Sequence, residues 1–99
     1  VYKRQLEAGL DGIRNQITPP DAVTENVFEM QLQQRAKLGI ESLPGDLEQA
    51  VEELEKDDYI KNVLGGHITE KYLEAKRAEW ADYRAQVTEW EIEKYLYKI

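Results

Sequence analysis

The residues best placed to do chemistry are His67, Glu70 and Glu74. On a helix they fall at i, i+3 and i+7 and line one face. Facing carboxylates and an imidazole suit a divalent metal, provided a second element supplies further ligands. No spacing in the sequence points to such a second set. A solvated polar face with His67 near a helix start is the simpler reading. Ser42 is the only serine and His67 the only histidine. No spacing signature makes them a nucleophile and its base. Gly9 and Gly12 do not follow a strand, so no phosphate-cradling loop is present. Cysteine is absent, which excludes disulfides, thiolate metal sites and cysteine nucleophiles. The residues themselves assign no catalytic, cofactor-binding or metal-binding side chain.

Glu79 is the more informative acid. Ala75, Glu79, Tyr83 and Val87 are successive i+4 positions, so Glu79 falls on an otherwise apolar stripe beside Trp80. A carboxylate there is costly unless it is paired or hydrogen-bonded. It is either a partly exposed residue at the stripe's edge or a group that meets another subunit or a ligand. Trp80, Tyr83, Trp90, Tyr95 and Tyr97 crowd the last twenty residues. Aromatic side chains concentrate in cores and at interfaces alike. Glu79, Trp80, Trp90 and Tyr95 are therefore the candidate regulatory or interface residues.

The elements that carry these residues follow from periodicity. Residues 1 to about 15 read as a helix, with Leu6, Leu10 and Ile13 on one side. No Ser, Thr, Asp or Asn precedes Val1, so the chain is expected to begin inside an element. Gly9 and Gly12, three apart, would let another backbone approach; a fraying helix end is the other reading. Pro19-Pro20 stops this helix. An extended connection follows to residue 30, then a short polar helix over 31–38 closed by Gly39.

Asp46 caps the next helix, with Gln49 in the position of a capping-box partner and an apolar stripe of Leu47, Ala50, Val51 and Leu54. Asp57 or Asp58 opens a short helix that Gly65-Gly66 ends. A long helix over 67–86 places Ile68, Tyr72, Leu73, Trp80, Tyr83 and Val87 largely on one side. Thr88-Glu89-Trp90-Glu91 is a capping box that starts a last helix through Ile92, Tyr95, Leu96 and Ile99. The expected fold class is all-α, with four to six helices and irregular connections. It divides into a helix-plus-extended-connection part over 1–45 and a helical subdomain over 46–99.

Composition narrows the function classes. The 99 residues suffice for one modest core. Acidic residues outnumber basic ones 20 to 13, giving a net charge of -7. A phosphate backbone rewards a concentrated positive surface, so nucleic acid is not expected as a partner. No apolar run approaches a membrane span and no secretory signal is visible. A cytoplasmic location is the expectation. The mean hydropathy of -0.69 is low for a self-sufficient globule. It fits a solvated domain, or a piece whose apolar faces meet something outside this chain.

Short motifs in order sharpen the reading. Ala8-Gly9-Leu10-Asp11-Gly12-Ile13, then Asn15, then Pro19-Pro20, resembles the glutamine synthetase segment that follows the last active-site elements. Asn26-Val27-Phe28, Leu43-Pro44, Leu64-Gly65 with His67, Glu74-Ala75-Lys76, Glu79-Trp80 and Val87-Thr88-Glu89-Trp90-Glu91 follow at the family's spacing. The tail is most similar to the bacterial type I enzymes of Gram-positive bacteria. The resemblance implies a C-terminal, subunit-interface fragment of an α+β enzyme, non-catalytic when isolated.

The parent would join ammonia to glutamate through a γ-glutamyl phosphate, using ATP and Mg²⁺ or Mn²⁺ bound upstream of Val1. It would be a dodecamer, so the partners would be the rest of the subunit and other subunits. Related tails also meet nitrogen-regulatory proteins. Phe28 would align with the tyrosine adenylylated in some relatives, and it has no hydroxyl to accept AMP. Glu79 would match a position linked to glutamine feedback near a subunit interface. The alternative is an independent helical interaction or regulatory module.

Overall fold

A computed structural model describes residues 1–98; Ile99, expected on the stripe of the last helix, lies outside the described residues. The described residues form helices and connections, with no strand among them. The chain divides into two compact units, Val1–Gly45 and Asp46–Ile99.

In the first unit, α1 spans Tyr2–Arg14, and its N-cap Val1 makes no side-chain cap hydrogen bond. Nothing lies within 4 Å of where a Cβ would stand on Gly9 or Gly12. Among the described residues no other backbone approaches them, and the helix runs through both glycines. At its end the Ile17 N–H donates to the Gly12 carbonyl (2.9 Å) and the Gln16 N–H to the Ile13 carbonyl (3.3 Å). This paired closure needs a left-handed residue, and Gln16 supplies it at φ 50°. A left-handed L-residue is disfavoured, so Gln16→Gly should stabilise the first unit by about 1 kcal/mol. The check is a higher midpoint for thermal loss of its helical signal; a lower midpoint would show that the Gln16 side chain compensates.

Residues 15–26 form no helix, and Asn26 then caps a single 3-10 turn at Val27–Glu29 by accepting from the Phe28 N–H. The short α2 covers Leu32–Lys37. It closes as α1 does, with the Ile40 N–H on the Arg35 carbonyl (2.9 Å) and the Gly39 N–H on Ala36 (3.2 Å). Here a glycine takes the left-handed position, at φ 70°. The Arg35 guanidinium donates to the Val27 carbonyl at 3.1 Å and ties α2 to the 3-10 turn.

The second unit packs α3 (Leu47–Lys56), α4 (Asp58–Leu64) and α5 (Gly66–Arg84) against one another. Asp46 starts α3 by accepting from the Gln49 N–H at 2.8 Å. Asp57 ends α3 with its backbone and starts α4 with its side chain, which accepts from the Ile60 N–H. Each aspartate satisfies an end-of-helix donor that has no carbonyl partner. Gly65 alone joins α4 to α5, at φ 85° and ψ 156°, a region that is essentially glycine's.

Val51 of α3 and Leu73 of α5 are the buried apolar residues of this unit. Thr69 is buried beside them, and its hydroxyl donates to the Lys61 carbonyl at 3.3 Å. That bond lets a polar side chain sit in the core at little cost.

The expected stripe of α5 separates into two faces. Thr69, Leu73 and Trp80 turn inward, whereas Ile68, Tyr72 and Tyr83 are exposed; Val87, expected on the same stripe, lies beyond the helix end at Arg84 and is exposed too. Residues four apart drift round a helix, so one broad stripe spans more than one neighbour can cover.

The capping box at Thr88 forms in both directions: the Thr88 hydroxyl accepts from the Glu91 N–H, and the Glu91 carboxylate accepts from the Thr88 N–H. The α-helix it starts, α6, lasts only from Glu89 to Glu91 and then widens into a π-helical turn at Ile92–Leu96. This corrects the expectation of a regular last helix. An i to i+5 ladder brings residues five apart together. Trp90 and Tyr95 are such a pair, edge to face with ring centroids 5.7 Å apart.

Candidate functional site

The second unit carries most of the candidate residues. Glu79 is exposed on α5 and pairs with Lys76, Nζ to carboxylate, at 2.7 Å. The same ammonium lies 5.7 Å from the centre of the Tyr72 ring. The hydrogen bond to Glu79, then its charge, hold the Lys76 amine above its ordinary range. The carboxylate on the apolar stripe is thus met within its own helix, one turn away.

Trp80, its sequence neighbour, faces the other way. It is half-buried and lines a groove with Val51 and Glu55 of α3. Its indole N–H is buried without a hydrogen-bond partner. Trp80 also tilts against Tyr83, with centroids 5.9 Å apart. Trp90 and Tyr95 pack on each other but remain 61% and 56% exposed. Val87, Ile92, Tyr95 and Leu96 line a shallow apolar concavity beside the Glu91 carboxylate. So the structure joins Trp90 to Tyr95 and Glu79 to Lys76, and it turns Trp80 inward. Phe28, in the first unit, is 96% exposed.

The remaining candidates do not assemble into a reactive centre. His67, Glu70 and Glu74 are exposed on α5, and Glu74 is paired with Lys71 at 3.7 Å. Among the described residues no three His, Asp or Glu side chains gather closely enough to hold a metal ion. Ser42 stands exposed in the connection before α3.

One pairing was missed by the sequence reading. Arg77 of α5 reaches Glu55 of α3 at 2.6 Å, joining the two helices that frame the core. Its signal was present, because Arg77 follows the buried Leu73 at i+4 and so returns to the same face. The Arg77 hydrogen bond, then its charge, hold the Glu55 carboxyl below its ordinary value of 4.5. A depressed carboxylate stabilises the fold above its unfolded value and loses that contribution as pH falls through the folded one. The melting temperature of the second unit should therefore hold from neutrality to about pH 5 and fall below it. In Glu55→Gln the part of the acid-side fall owed to this pair should vanish. An unchanged acid limb in that variant would show that the pair adds nothing.

No helix of the described residues is long and apolar enough to cross a membrane. Comparison with known proteins places the chain. The sequence profile of the family described as glutamine synthetase, catalytic domain, matches residues 3–95. The chain is similar to the glutamine synthetase of Thermotoga maritima, with 53% identity over 93% of this chain and 21% of that protein. It is also similar to that of Methanocaldococcus jannaschii, at 50% identity over 97% of this chain and 21% of that protein. Against the glutamine synthetase of Clostridium saccharobutylicum it is 45% identical over 94% of this chain, again 21% of the relative. It therefore spans about one fifth of the length of the curated relatives it matches. On the match over residues 3–95, the chain belongs to the glutamine synthetase catalytic-domain family.

Proposed function

We propose that this chain is the C-terminal helical part of a glutamine synthetase subunit and that it serves assembly rather than chemistry. The whole enzyme would condense glutamate with ammonia at the expense of ATP, in the cytoplasm. ATP and Mg²⁺ or Mn²⁺ would be held by residues outside this chain. The observation that carries the reading is the family match over residues 3–95 in a chain about one fifth as long as its relatives.

The exposed face supports the assembly role. Ile68, Tyr72, Tyr83, Trp90, Tyr95 and Leu96 present large apolar side chains on α5 and beyond. A surface so rich in aromatics is of the kind that marks association. We assign Glu79, Trp90 and Tyr95 to the side turned toward the rest of the enzyme and its other subunits, with Trp80 supporting that side from within by packing α5 on α3. Glu79 has carboxylate oxygens to offer a neighbouring subunit besides its bond to Lys76. Phe28 gives adenylylation no hydroxyl at its position. The nitrogen-regulatory partner implied by the resemblance gains no support from the fold or from the relatives.

The test uses the full-length protein. It should form γ-glutamyl hydroxamate from glutamate, hydroxylamine and ATP, and it should sediment as a large oligomer. Replacing both Trp90 and Tyr95 by Asp should weaken assembly by roughly 2 kcal/mol or more, as loss of a buried aromatic anchor does. Smaller sedimenting species would support the interface assignment. An unchanged profile would overturn it, and a full-length protein without ATP-dependent turnover would overturn the enzymatic reading.

A further inference from the structure

We draw no further inference here: the strongest candidate, the open groove between α4 and α5 lined by Lys61, Thr69, Glu70, Glu74 and Arg77, has both its cations already engaged by Asp58 and Glu55, and nothing in the structure shows what covers it.

Discussion

Leu73→Ala is expected to abolish most of the helical signal of the second unit at room temperature. Leu73 is 7% exposed and Val51, its counterpart on α3, is 6% exposed. Truncating a buried leucine typically costs about 2–5 kcal/mol, transfer and cavity together. A single core in a unit as small as Asp46–Ile99 rarely supplies more than about 3–5 kcal/mol of net stability. The loss is therefore comparable with the whole margin, and the variant should populate the unfolded state heavily. Circular dichroism would report it, together with a red shift of Trp80 emission as its half-buried indole meets water. Ile68→Ala is the control, because Ile68 is 58% exposed on the same helix and such changes stay within about 0.5 kcal/mol. A Leu73→Ala melting curve that overlays the parent would refute the packing described for α3 and α5.

The chain by itself is expected to give no γ-glutamyl hydroxamate above blank, whatever Mn²⁺ or ATP is supplied. Enzymes lower barriers by roughly 8–23 kcal/mol, and that requires groups fixed around the reacting atoms. Here Glu70 and His67 are exposed, Glu74 is tied to Lys71, and no metal-holding set forms among the described residues. The ion pair of Arg77 with Glu55 joins two helices. Turnover that is above blank and removed by a chelator would place a catalytic centre in this chain. It would also displace the assembly reading.

Local signals were the legible ones. Asp46 and Thr88 were readable as caps, and Asp57 as one of two adjacent choices, because a cap is decided within four residues of sequence. Gly39 was readable as a helix stop for the same reason. The Gln16 closure was not, since glutamine has no left-handed preference to announce it. Nor was the 3-10 turn that Asn26 starts.

Non-local arrangements were legible only in part. Periodicity placed Ile68, Tyr72, Leu73 and Trp80 on one stripe, and only packing against α3 and α4 could divide that stripe into inner and outer faces. Thr69 reads as a polar residue, and its burial depends on a carbonyl contributed by α4. The i to i+5 turn after Glu91 had no signature, because the capping box ahead of it fixes where a helix starts and not how it is wound. Among the candidate residues, the stripe left Glu79 open between an exposed edge position and a group that meets another subunit or a ligand; the structure exposes it and pairs it with Lys76. That the partner is Lys76, three residues back, follows from helix geometry once the helix is known. The family resemblance, carried by the order of short motifs, supplied what periodicity could not.

Gly65 and Gly66 differ in a way that space alone does not explain. A methyl group would meet nothing within 4 Å at either residue. Gly66 is helical, while Gly65 holds torsion angles that a side chain resists at a cost of order 1–3 kcal/mol. The elbow between two packed helices is thus governed by one rotatable unit with no room for compromise in its angles. A side chain at Gly65 would have to bear that strain in the one residue that joins the two helices, whereas one at Gly66 would meet an ordinary helical backbone.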